Sequence, residues 1–262
     1  MFKRILLVFF LFFFSLPVFS IVTVLEPAQG TVLAGQTIEL GSLMPGEEFK
    51  ITIDRNGGDN CWSSAWLNKG LLPRGWTALE PVVESKSISL SVSLPSNARI
   101  GSQNLEITVL DGSTGLEESF NALVLVSEDL VSVQMQSAQK RVPVNSVACY
   151  GLSLINGSIA SHKVRVSSSL PTYWFKPREI SLKPRDSTDA NLCVSAFEDG
   201  SRDFFFYIDS ALFPKRFHSL KARIEIEPTL RGKYSNAIGG FPFFMPTLAP
   251  YYFIDSFLSL IS

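Results

Sequence analysis

Ser87-Ile88-Ser89-Leu90-Ser91-Val92-Ser93-Leu94 alternates a serine with an aliphatic residue at every step. In an extended chain that period puts the four aliphatic groups on one face and the four hydroxyls on the other. Phe49-Lys50-Ile51-Thr52-Ile53-Asp54 repeats the pattern, as does Leu105-Glu106-Ile107-Thr108-Val109. Further alternating stretches occupy 131–136, 150–154, 163–167, 180–183 and 190–195. Strands with one apolar and one polar face belong to antiparallel sheets packed on one side. Gly46, Gly57-Gly58, Pro95, Asp111-Gly112, Asn156-Gly157 and Asp199-Gly200 supply turns between them. No long amphipathic helix precedes the last dozen residues, so the reading is an all-β fold of sandwich type.

The pattern occurs twice. Leu72-Pro73-Arg74-Gly75-Trp76 returns as Leu170-Pro171-Thr172-Tyr173-Trp174, 98 residues later. The strand at 49–54 matches Tyr150–Ile155 with an offset of 101, and Leu90–Ser93 matches Leu192–Ser195 with an offset of 102. Gly101 and the strand after it match Gly200 and Phe204–Ile208. Offsets near one immunoglobulin-domain length predict two tandem β-sandwiches, over 21–128 and 129–230.

A strand ending in a turn, then Leu-Pro-x-x-Trp, another strand, a Pro- or Gly-marked turn and a last strand resembles the Ig-like modules associated with secreted glycosidases. Similar modules stand in tandem in archaeal and bacterial cell-envelope proteins. The resemblance covers both repeats; the second departs from it at Ala196-Phe197-Glu198-Asp199-Gly200, where the family often carries a proline. It implies a spacer, adhesive or carbohydrate-associated role and no catalyst, and by itself it implies no site residues.

Both ends of the chain read differently. Lys3-Arg4 precedes an unbroken apolar run from Ile5 to Phe14, and Val18 and Ser20 sit three and one residues before a cut. This is the layout of a signal peptide over 1–20, cleaved after Ser20, with an uncleaved anchor as the rival reading. The expected localisation is therefore exported, at the cell surface or extracellular. The tail, 231–262, is hydrophobic and carries one charge, Asp255, from Ala237 onward. Prolines at 242, 246 and 250 break it, and after Pro250 a short amphipathic helix is expected. Asp255, Ser259 and Ser262 form its narrow polar stripe, while Tyr251, Tyr252, Phe253, Phe257, Leu258 and Ile261 cover the apolar remainder. Twelve residues rise about 18 Å, too short to span a bilayer. Its expected partner is the membrane surface or an envelope protein; docking back onto the second module competes with both.

The charges are balanced, 23 Lys and Arg against 24 Asp and Glu, and nucleic acid is excluded as an expected partner. The first module carries six basic and thirteen acidic residues, the second thirteen and ten. Two histidines, and no Gly-x-Ser-x-Gly, His-Glu-x-x-His or phosphate-loop motif, leave no catalytic residue, metal ligand set or cofactor to assign. The paired carboxylates Glu47-Glu48 and Glu117-Glu118 read as solvated. Asp54–Asn60 gathers oxygen ligands but lacks the spacing of a calcium loop, and reads as a hydrated turn.

Four sites remain. Trp76 and Trp174 share a repeat position and read as core plugs, whereas Trp62 and Trp66 lack counterparts and are the candidate sugar-stacking residues. If glycans are a partner, they belong there. Cys149 precedes the inward Tyr150, and Cys193 lies between the inward Leu192 and Val194, so both cysteines face outward. On adjacent strands they form a cross-strand disulfide; the alternative is two unbridged thiols. Cys61 is left over. Asn156-Gly157-Ser158 is a glycosylation sequon on an expected turn.

Overall fold

The computed structural model describes residues 21–56 and 61–228, together with Ile254 and Phe257 of the tail. The expected signal peptide, part of the Asp54–Asn60 loop and the rest of the tail lie outside the described residues. Every element within 21–228 is a strand. The chain forms two compact units. The first runs to Gly41 and adds Glu48–Leu94 and Gly101–Leu125; the second comprises Ser42–Glu47, Pro95–Ile100 and the chain from Val126.

The first unit is built from β1 (Ile21–Glu26), β2 (Gly30–Leu33), β3 (Thr37–Leu43), β4 (Glu48–Asp54), β5 (Trp62–Leu67), β6 (Thr77–Ala78), β7 (Val82–Val83), β8 (Ser87–Ser93), β9 (Gly101–Asp111) and β10 (Glu117–Val126). One sheet has the order β2-β1-β4-β8-β6, with β7 also pairing β8; the other has the order β3-β10-β9-β5. The alternation in the sequence becomes burial: Ile51, Ile53, Ile88, Leu90, Val92, Leu105, Ile107 and Val109 are all buried. Each such side chain withdrawn from water is worth roughly 1.5–3 kcal/mol before ordering costs.

In the second unit β11 (Val131–Met135), β13 (Ser146–Asn156) and β16 (Ser187–Ala196) make one sheet. The other has the order β12 (Gln139–Pro143), β18 (Arg216–Glu227), β17 (Gly200–Ser210), β14 (His162–Ser168), β15 (Arg178–Leu182). β12 runs parallel to β18, while β11–β13, β13–β16, β14–β15, β14–β17 and β17–β18 pair antiparallel. The chain crosses between the sheets and returns, with β14–β15 and β17–β18 as hairpins within one of them, the Greek-key order of an immunoglobulin sandwich. The core holds Tyr150 edge-on to Phe204 and Phe206, at 5.7 and 5.5 Å between ring centres, with Phe175 and Trp174 beside them.

The repeated Leu-Pro-x-x-Trp turn leads to different sheets. In the first unit Trp76 N–H donates to Pro73 O (3.0 Å), and Gly75 has φ 84°, the left-handed residue that a type II turn needs at its third position. The next strand, β6, then pairs with β8. In the second unit Trp174 N–H donates to Pro171 O (2.9 Å), and Phe175 N–H reaches the same carbonyl (3.2 Å), a helical turn that Tyr173 enters with ordinary backbone. There the next strand, β15, pairs with β14.

Candidate functional site

Trp62 and Trp66 are separated by a β-bulge. Ala65 and Leu67 point into the core, so strict alternation along β5 would turn Ser63 inward and Trp62 outward. Between Trp62 and Ser64 the register against β9 shifts: Trp62 stands opposite Asp111 and Ser64 opposite Leu110. The extra residue turns Trp62 inward, where it is 0% exposed. Ser63 Oγ donates to Leu110 O (3.1 Å), and Arg55 Nε donates to Trp62 O (3.0 Å). Trp62 therefore presents no ring face to a sugar, which corrects its reading as a stacking residue. Trp66 stands opposite Thr108 on β9 and is half-buried.

Cys149 and Cys193 are cross-strand partners of β13 and β16 and form a disulfide, with Cα atoms 4.0 Å apart. Both are exposed, while Ala148, Tyr150, Leu192 and Val194 are buried on the opposite face. Cys61 is a free, exposed thiol.

The sequon is occupied by the fold. Asn156 is buried, and its Nδ2 donates to Ala160 O and Lys183 O, both at 2.9 Å; Ser158 N–H donates to its Oδ1 (3.0 Å). A glycan on Nδ2 would displace these bonds, so the expectation of a glycan on a hairpin turn is corrected: the turn folds the amide inward.

The same part of the second unit holds a buried polar chain that the sequence reading missed. Glu47, read as solvated, is 1% exposed, and His162 is fully buried. Met44 N–H donates to Glu47 Oε2 (2.8 Å), Ser158 Oγ donates to the same oxygen, and His162 Nδ1 lies 2.8 Å from Glu47 Oε1. On its other side the ring places Nε2 3.2 Å from Ser210 Oγ. Carboxylate, imidazole and hydroxyl in line are also the parts of a nucleophile. Here, however, Ser210 Oγ already accepts from Leu212 N–H (3.1 Å) and Phe213 N–H (3.2 Å), and the rings of Phe213 and Phe217 close over the imidazole. The hydroxyl is spent on a turn, and the chain joins segment 42–47 to β14 and β17.

Elsewhere some surface charges pair across strands. On β17 and β18, Arg216 pairs with Asp209 (2.7 Å) and Lys221 with Asp203 (3.0 Å), while Arg216 also lies over the Tyr207 ring, 4.0 Å from its centre. Tyr173, between β14 and β15, and Phe197, at the β16–β17 turn, form an exposed aromatic pair, 5.8 Å apart and tilted by 45°. The departure from the repeat at 196–200 was the signal for it. Of the tail residues expected to dock, Phe257 is exposed, as is its neighbour Ile254; Tyr251, Tyr252, Phe253, Leu258 and Ile261 lie outside the described residues. No group of metal-ligating side chains is present among the described residues.

No protein-family model matches the chain, and no curated protein matches it. Solved structures do. A chimeric titin Z1Z2 is 12% identical, covering 80% of this chain and 98% of that one, with a TM-score of 0.40. The fibronectin(III)-like modules of Clostridium thermocellum CbhA are 12% identical over 79% and 94%, with a TM-score of 0.28. An endo-fucoidan hydrolase of glycoside hydrolase family 107 is 10% identical over 75% of this chain and 28% of its own, with a TM-score of 0.36. With superpositions this loose, the Ig-like assignment stands on the strand order and register of each unit: the chain is a tandem of Ig-like β-sandwiches.

Proposed function

We propose that this is an exported, non-enzymatic protein of the cell surface or envelope. Its sandwiches serve as spacer or interaction modules, and its C-terminal segment anchors or assembles them. The observation that carries this reading is the exposed Cys149–Cys193 disulfide. A solvent-facing cystine persists in an oxidising compartment and is rare in a reducing one. That agrees with a basic, then apolar, leader over 1–20. In the Glu47–His162–Ser210 chain the polar atoms are engaged in holding the fold, so that chain offers no free nucleophile. Anchoring rests on the tail, whose large apolar side chains each favour burial by roughly 1.5–3 kcal/mol.

Fractionation of cells expressing the full chain or a chain ending at Asn236 tests the reading. The full chain is expected in the detergent-extractable envelope fraction and the shortened one among freely soluble exported proteins. Finding both forms soluble and monomeric overturns the anchoring role.

A further inference from the structure

We propose that the aromatic pair Tyr173–Phe197, with Arg202 and Glu198 at its rim, is a saccharide-binding platform on the second unit. This deepens the reading of the modules as interaction surfaces and is independent of the tail. The two copies of the repeat differ around this turn. Trp76 and Trp174 are both buried at the same repeat position. Around Trp76 the repeat positions of Tyr173, Phe197, Glu198 and Arg202 hold Gly75, Pro95, Ser96 and Gln103, and that turn forms without them. The second copy thus carries two aromatic rings, a carboxylate and a guanidinium where the first has none of these groups.

Their exposure runs against their chemistry. Tyr173 is 59% and Phe197 39% exposed, although burying either ring would be favourable. Phe197 packs edge-on to Trp174 (6.3 Å), and Arg202 lies over the Trp174 ring, 5.0 Å from its centre, while pairing with Glu198. Trp174 Nε1 is buried without a partner.

Apolar ring faces beside fixed donors and acceptors suit a ligand that is itself two-faced. A pyranose offers C–H groups on one side for stacking and hydroxyls at its edge for the guanidinium and carboxylate. Apolar peptide side chains laid over the rings would cover the Arg202–Glu198 pair without returning the hydrogen bonds of the water they remove. The site is shallow, so weak binding and several sugars along a chain are expected.

The test uses the folded protein with its disulfide intact, titrated by NMR with tetrasaccharides of β-1,4-linked glucose, β-1,4-linked N-acetylglucosamine and α-1,4-linked glucose. At least one sugar is expected to shift the Tyr173, Phe197 and Arg202 resonances. Tyr173→Ala, at a position the fold fills with glycine in the other copy, is expected to weaken binding by about tenfold. Arg202→Gln weakens it as well, and Phe205→Ala, which removes an exposed ring elsewhere on β17, leaves it unchanged. No shift with any of the sugars, equal binding by Tyr173→Ala, or shifts at these residues with a proline-rich peptide alone overturns the assignment. A failure here leaves the fractionation result untouched, so the two readings fall separately.

Discussion

Glu47 Oε1 lies 2.8 Å from His162 Nδ1, with neither side chain reached by water. Breaking a buried pair of this kind leaves its remaining member without a partner and costs about 3–5 kcal/mol. Glu47→Ala is accordingly expected to lower unfolding stability by about that much, measured by urea titration of the second unit's tryptophan signal. Glu47→Gln, which keeps an acceptor for the imidazole N–H, should recover part of the loss.

The Cys149–Cys193 bridge joins residues 44 apart in sequence. Closing a loop of that length removes enough denatured-state freedom to be worth about 4 kcal/mol on the chain-entropy account. Because the ten-residue pairing of β13 with β16 and the core lie independently of the sulfurs, the double variant Cys149→Ser, Cys193→Ser should fold with unchanged far-UV circular dichroism. Its denaturation midpoint should fall. An unfolded double variant would show that the bridge sets the fold.

Asn156 spends both amide protons on the carbonyls of Ala160 and Lys183. Expressed in a glycosylating host, the folded protein is expected to carry an empty sequon by mass spectrometry. Asn156→Ala should cost about 1–3 kcal/mol, because buried carbonyl oxygens lose their donors.

Burial pushes the Tyr150 phenol well above the usual tyrosine range, and its hydroxyl donates to Arg223 O at 2.8 Å. The unfolded chain releases this proton near pH 10, whereas the folded chain holds it. The associated stability is therefore whole below about pH 10 and is lost as pH rises toward the higher folded value. Tyr150→Phe should lower stability by about 1 kcal/mol at neutral pH and flatten the alkaline limb of the stability curve.

Period-two alternation made the strands legible, and the outward phase of Cys149 and Cys193 made their pairing legible, because both follow from which face a residue takes. Trp62 defeated the same logic: one extra residue at Ser63 reverses the phase, and nothing in Trp62-Ser63-Ser64-Ala65 marks a bulge. Glu47 and Asn156 looked hydrated because glutamate and a sequon asparagine usually are. Their burial depends on partners more than a hundred residues away for Glu47, and on the turn back from Lys183 for Asn156. Local pattern reports the face of a strand; it does not report a polar group satisfied at long range.

Export with an intact bridge is the most direct matter to measure. Cells expressing the full chain are treated with a membrane-impermeant maleimide, then lysed, reduced and labelled with a second, heavier maleimide. Cys61 is expected to take the first label on intact cells, while Cys149 and Cys193 take only the second. Cys61 shielded until lysis, or all three thiols reactive before reduction, would place the chain in a reducing compartment and contradict it.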